Sequence, residues 1–399
     1  MTKTLSWSGL RTVVGLELRQ RVRSRGWVIA LVCWFVVIGA ITALIMEFVR
    51  QMYTYASPAA DPGAGPVQTG GPLAFGVITL FVLGMGLVIA PAFTAASING
   101  DRAAGTLATL QVTSLSAVEI AVGKLFAAWL TAAVFLVVAL PFIIWSMVLG
   151  GISAWQVIVC FAVVLAEVLI MCAIGLGWSA VTVRTVGSMV LTYLSVLTLS
   201  LLTLIVIGLL QPLVTDWEGT TKSWDAQWDS KSEELTPEQM AQTCRWTTSV
   251  SPVTHSERVW WLLAANPFIV VADAAPLPES ARGDLEEYVT SASDPLATIR
   301  LAMRALERGP ETVVDSCVNL FGGWDQYKTV VDADGTTRVY KGAQVIYVSP
   351  VKRLPLSAGP PIWPWGLGVH LVLGVLGFVV AVRRLSVPYG KLPRDTRVA

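Results

Sequence analysis

Residues 154–181 read AWQVIVCFAVVLAEVLIMCAIGLGWSAV, apolar almost throughout, with Glu167 the one charged residue. A helix needs about 20 apolar residues to cross the hydrocarbon core of a bilayer. The stretch therefore predicts a membrane span from Ala154 to about Val181. The same pattern recurs on both sides. Upstream, apolar runs extend from Trp27 to Phe48, from about Pro72 to Ala95, and onward to about Leu149; downstream, one ends near Leu210 and another covers Ile362 to Val382. The expected fold class is an all-α polytopic membrane protein of six transmembrane helices, with an extracytoplasmic α+β domain between the fifth and sixth.

Composition agrees with this reading. Of 399 residues, 54% are hydrophobic and 14% charged, and the mean hydropathy is +0.64. A soluble domain of that balance would expose too much apolar surface. The net charge of +1 hides a partition: Leu213–Ala358 holds 20 acids and 13 bases, and the rest of the chain holds 7 acids and 15 bases. Lys3, Arg11, Arg19, Arg21, Arg23 and Arg25 precede the first span, Arg102 and Lys124 lie between the second and third, Arg184 between the fourth and fifth, and Arg383, Arg384, Lys391, Arg394 and Arg397 follow the sixth. Positive loops stay inside. The expectation is a multi-pass protein of the cytoplasmic membrane with both termini in the cytoplasm. Its parts are an amphipathic leading helix over 1–26, five spans within 27–212, an external domain over 213–358, a sixth span over 359–382 and a cytoplasmic tail over 383–399. The run from Trp27 is longer than the core of a signal peptide and reads as a retained helix.

The acidic block has the chemistry of a folded domain. Thr236-Pro237-Glu238-Gln239 carries a capping-box pattern. Asp294-Pro295 opens a helix with Leu296, Ile299, Met303 and Leu306 on one face and Gly309 as its stop. Tyr327–Tyr340 reads as a hairpin around Asp334-Gly335, with Gln344–Val348 as a third strand. Trp217, Trp224 and Trp228 recur at i, i+7 and i+11, which predicts the aromatic face of a helix. Val259–Ala275 is apolar but is interrupted by Asn266-Pro267; it reads as an interfacial or re-entrant helix pair. Cys244 and Cys317 are the block's two cysteines, and in an oxidising compartment such a pair reads as a disulfide.

The most informative loop separates the second and third spans, within a coupling segment over 96–118. It contains Asp101, Arg102, Gly105, Thr106, Leu107, Leu110, Thr113, Leu115 and Ser116, followed by Glu119 and Gly123-Lys124. Leu107 and Leu110 form one edge of a short expected helix, flanked by Asp101 and Arg102, and an exposed apolar edge suits a groove on a partner. The pattern of acid and Arg, Gly-Thr-Leu, a further Leu, Thr-x-Leu-Ser and a downstream Gly-Lys resembles the cytoplasmic loop of ABC-2 type permeases, the membrane subunits of ATP-binding cassette exporters. Ser114 stands where that family usually has Pro. The six spans, the basic leading helix and Asn266-Pro267-Phe268 also resemble the family. The resemblance implies ABC ATPase subunits as partners that bind the ATP and Mg, a second permease subunit, identical or related, in the lipid bilayer, and no nucleic acid. It assigns Asp101 to Ser116 to ATPase coupling and implies outward transport by alternating access.

Glu167 is the remaining candidate, for the translocation path. A carboxyl at mid-span costs several kcal/mol unless paired or wet, and defaults to a functional reading; the alternative is a protonated, internally bonded structural group. His370 in the sixth span reads as a packing residue. No phosphate-binding Gly-x4-Gly-Lys-Ser/Thr motif occurs, so ATP hydrolysis is expected in another chain. No His/Cys metal cluster is expected. Two other classes stay open: a membrane-anchored sensor or assembly protein working through its external domain, and an ion-coupled secondary transporter.

Overall fold

The computed structural model describes residues 6–56, 70–105, 116–227, 235–278, 293–322, 326–332, 334–352 and 359–386, with Ala281, Leu285, Tyr288, Val289, Trp324 and Leu356 between them. The leading helix α1 covers Trp7–Val22. Helices α2 (Arg25–Ala56), α3 (Gly71–Thr94), α4 (Ser97–Ala103), α5 (Ala117–Val148) and α6 (Ala154–Val181) come next. Local chemistry fixes two of these starts. Ser116 caps α5 and Ser153 caps α6, each in a capping box with the Glu or Gln three residues on, which satisfies amides that have no partner within the helix. The fifth span is compound: α7 (Thr185–Leu197), a π turn over Thr198–Leu202, and α8 (Thr203–Leu210). The last span is α12 (Trp363–Leu385). Among the described residues, six helical segments are long and apolar enough to cross a membrane.

The spans are covered unequally. Helix α3 is enclosed by α5 and α6, with Phe75, Ile78, Leu83 and Leu87 nearly inaccessible. Helix α2 buries one stripe, Trp27, Trp34, Ile38 and Thr42, and exposes Val28, Ile29, Val32 and Val36. In a bilayer such apolar faces are normal, because hydrocarbon is as apolar as the side chains. Helices α6 and α12 pack together along much of their length. A Cβ added at Gly177 would stand 2.6 Å from the Cα of Gly377, so both glycines are needed for the backbones to meet, the small-residue device of membrane helix packing.

Residues 259–275 form a 3-10 turn (Trp260–Ala265) and a short helix α10 (Pro267–Ala274), joined at Asn266. Both pack on α12, and α10 also packs on α6, burying Ile269 to Ala274. Protein thus covers the break in the run, as unpaired backbone at membrane depth requires. Asn266 does more than break the helix. Its oxygen caps Phe268 N at 2.9 Å, and its amide donates to Ser200 O at 2.7 Å and Thr203 Oγ1 at 2.9 Å. A π turn loosens the regular carbonyl pairing, and this side chain takes up the Ser200 carbonyl.

The rest of the chain between the fifth and sixth spans contains strands: β1 (Thr215–Asp216) with β4 (Val253–Thr254); β2 (Thr220–Asp225) between β3 (Arg245–Val250) and β5 (Val313–Asp315); and β6 (Tyr327–Val331), β7 (Thr336–Lys341) and β8 (Gln344–Lys352) in order. Helices α9 (Pro237–Ala241) and α11 (Pro295–Arg308) start at Thr236 and Asp294 as their caps predict, and Gly309 ends α11 at φ 77°. The expected tryptophan helix is a correction. Trp224 lies on β2, opposite Trp246 of β3 with ring centroids 5.3 Å apart. The Thr-Thr-Lys-Ser-Trp-Asp segment is rich in strand formers and pairs along its whole length with β3, and this cross-strand ladder overrides the spacing. Trp228 lies outside the described residues. Cys244 and Cys317 are bridged, joining the foot of β3 to the turn after β5 with Cα atoms 6.6 Å apart.

Candidate functional site

At the arginine-rich end of the spans, the 96–118 segment is anchored at both of its described ends. On its leading side, α4 sits against the last turn of α6. Ser179 Oγ accepts from Ile98 N at 3.0 Å and donates to Asn99 Oδ1 at 3.3 Å, and Asn99 Nδ2 donates to Thr182 Oγ1 at 3.2 Å. Gly105, at φ 71°, turns the chain out of this short helix, a left-handed exit that glycine makes without strain. On the trailing side Glu119 accepts from Ser116 N at 2.7 Å and from Ser6 N at 2.5 Å, so the same carboxylate caps α5 and holds the start of α1. Thr106, Leu107, Leu110, Thr113 and Leu115, expected to carry the coupling helix, lie outside the described residues.

Lys124 joins the two sides. It is 1% exposed, and its ammonium stands 2.5 Å from Asp101 Oδ2 on α4 and 2.7 Å from Glu17 Oε1 on α1. One cation between two carboxylates ties three helices, and removal of the lysine takes the shared counter-ion from both acids. Gly123 makes the contact possible: a Cβ there would lie 2.5 Å from Val13 Cγ1. The Gly-Lys pair that the sequence marked therefore has two physical jobs. Glycine lets α1 approach, and lysine fastens it. The amphipathic leading helix is docked on α5 by Val13 and Glu17, while Arg11, Leu16 and Arg19 remain exposed. Arg102, next to Asp101, lies close enough to Arg384 at the end of α12 for the two charges to repel.

Glu167, the translocation-path candidate, has a partner within the chain. It is fully enclosed within the chain, and both its carboxylate oxygens meet His370 Nδ1, at 2.9 and 3.0 Å. His370 Nε2 lies 2.6 Å from Ala265 O. A carbonyl only accepts, so Nε2 carries a proton. One further proton is then shared between Nδ1 and the carboxyl, and the pair is neutral whichever atom holds it. His370 is a partner for the acid rather than isolated packing, and the pair clasps α6 to α12 and to the 3-10 turn.

Sequence reasoning did not find a further cluster at the far end of α12. Asp273 Oδ2 accepts from Ile362 N at 2.6 Å and Trp363 N at 2.9 Å, and Oδ1 faces Arg304 Nη2 at 3.1 Å and Arg300 Nε at 3.4 Å. Arg300 also donates to the carbonyls of Asp273 and Ala275, the latter at 2.7 Å, closing the end of α10. Asp273 was legible as an acid ending an apolar run; its partners stand about thirty and ninety residues away.

A family model described as ABC-2 family transporter protein matches residues 11–253. This region includes α1, the first five spans, the coupling segment and the Lys124 junction. No curated protein matches the chain. With the family match covering more than half the chain, and six helical segments among the described residues long and apolar enough to cross a membrane, the protein belongs to the ABC-2 transporter family and is an ABC-2 type permease, a multi-pass membrane component of an ABC transporter.

Proposed function

We propose that this permease exports its substrate by alternating access, driven by separate ABC ATPase subunits that bind ATP and Mg and dock on residues 96–118. The arginine-rich end and both termini face the cytoplasm, Leu213–Ala358 lies outside, and a second permease subunit, identical or related, completes the path in the cytoplasmic membrane. The observation that carries the reading is the Lys124 junction. A push on the segment beyond Asp101 reaches α1 and α5 through one buried ammonium, so a docked ATPase can move the spans rather than only the loop. Lateral contact with a second permease has surface to use, since α2 and the fifth span carry long exposed apolar faces.

The test is co-purification. The tagged chain, isolated from its native membrane, should bring an ATPase with it. Leu107→Asp should lower that yield at least about tenfold, since a charge forced into an apolar groove costs more than about 1.4 kcal/mol, and should leave membrane insertion intact. Unchanged recovery of the ATPase by this variant would rule out docking at this segment. Orientation is checked separately with an impermeant thiol reagent on intact cells: a cysteine introduced at Ser230 should react and one at Thr396 should not.

A further inference from the structure

We propose that the cavity between the fourth, fifth and sixth spans, with the arginines at its end, binds one anionic phospholipid, its acyl chain in the cavity and its phosphate on Arg184, Arg383 and Arg384.

The cavity has a volume of about 550 Å³. Ile174, Gly177 and Val181 of α6 form one wall and Leu373, Leu376 and Val380 of α12 another, with α7 contributing Leu191 and Leu194. Two of its few polar side chains are already paired: Trp178 Nε1 donates to Ser195 Oγ at 3.0 Å, and Ser195 Oγ donates to Leu191 O at 2.9 Å. Water gains nothing in such a space, whereas hydrocarbon fits it. Val181, Leu194 and Leu376 are 42%, 54% and 56% exposed, so the cavity opens sideways between the spans, where a bilayer presents acyl chains.

The residues one turn beyond the lining select the headgroup. The lining positions recur three and four residues apart along each helix, which is one helical face. On α12 that face runs from Leu373 through Leu376 and Val380, and the next turn brings Arg383 and Arg384. Beyond Val181 of α6 comes Arg184. All three arginines are exposed. Arg102 of α4 approaches Arg384, and its Nε is buried without an acceptor. Among the described residues, no ion pair joins an acid to any of these four. An apolar slot whose walls are followed in sequence by exposed guanidinium groups matches a lipid with a negative headgroup, and basic pockets between spans are suited to such headgroups. A second copy of this chain seated isologously on the same face would instead bring its own arginines against these.

The experiment is native mass spectrometry of the purified full chain titrated with phosphatidylglycerol or phosphatidylcholine of identical acyl chains. The wild-type protein should retain phosphatidylglycerol over phosphatidylcholine by about fivefold for each arginine engaged. Arg383→Gln with Arg384→Gln should remove at least about fivefold of that preference and leave phosphatidylcholine retention unchanged. Leu376→Trp fills the slot and should reduce retention of both lipids; Leu373→Trp, on the same wall, replaces it if the first variant fails to fold. Equal retention of the two lipids by the wild-type protein overturns the proposal, as does a preference that survives loss of both arginines. Displacement by glycerol phosphate as strong as by the whole lipid would reduce the site to an anion site and also overturn it. A change in oligomeric state with Leu376→Trp at constant lipid count would make the cavity a contact between copies and overturn the proposal likewise.

Discussion

The two ends of the membrane part are each held by buried charge, but by different means. At the arginine-rich end Lys124 meets Glu17 and Asp101, side chain to side chain. At the far end Asp273, Arg300 and Arg304 also meet one another, but they reach past themselves to the backbone: two amides at the start of α12 and carbonyls at the end of α10. A network that closes on side chains can be replaced as a set by neutral residues. One that closes on helix ends cannot, because the orphan amides and carbonyls of those ends remain. The first kind suits a junction that transmits a force, and the second suits a fixed corner.

The sharpest way to break this comparison is at the corner. Asp273→Ala should cost about 4 kcal/mol, since the buried Arg300 loses its counter-ion, Arg304 keeps only Glu307, and α12 loses its cap. Fluorescence-detected thermal unfolding in detergent measures it. Replacing Asp273, Arg300 and Arg304 together with Leu should not restore the melting temperature; full recovery would erase the distinction between the two ends.

Next comes the bridge between Cys244 and Cys317, which closes a separation of 73 residues. Replacing both with Ser should destabilise the strand region by about 3 kcal/mol, within the range typical of a disulfide and below the ideal chain-entropy value for so long a loop. Limited proteolysis should then cut sooner in the stretches that carry β2, β3 and β5 to β8, while the corner formed by α10, α11 and α12 stays protected. Equal loss of protection in both would merge them into one cooperative unit.

Lys124→Met should cost less, about 2 kcal/mol, because Glu17 and Asp101 retain some contact with solvent that screens the charges left behind. Adding Glu17→Gln and Asp101→Asn should return most of that stability. A triple variant no more stable than Lys124→Met would show that this junction too is built on more than side-chain charge.

The smallest effect concerns Glu238 of α9, whose carboxyl is held at about 2, first by the hydrogen bond from Lys341 and then by that from Tyr327. Its folded value lies below the ordinary 4.5. The stabilisation is therefore present above about 4.5 and lost as pH falls toward about 2. Glu238→Gln should flatten the melting profile slightly in that window; identical profiles would remove the pair from the account.

Much of this architecture was legible in the sequence because it is written locally. The limits of the fourth span, Ala154–Val181, arise from one apolar run and a Ser-x-x-Gln cap, and the caps at Thr236 and Asp294 place two helices of the strand region. Where two signals competed, the local one failed: the tryptophan spacing suggested a helix, but β2 owes its form to β3, some twenty residues on. The site residues divide in the same way. Asp101 and Lys124 could be marked by pattern, but Glu17, which completes their junction, stands 107 residues from Lys124. His370 stands 203 residues from Glu167, and no periodicity spans that distance. The acid was correctly noticed as costly, and the compensating group was in plain sight on another span.

The Glu167–His370 clasp sets a mechanical boundary. Both ring nitrogens are engaged, and at 177 and 377 the backbones stand too close to admit a Cβ between them. Rotating α12 by one residue would turn the ring by about 100°, away from the acid and the carbonyl together. Helices α6 and α12 therefore travel as one strut. The hinge lines of any transport cycle must then fall along the sparsely covered borders of the molecule, where α2 and the π-interrupted fifth span meet it.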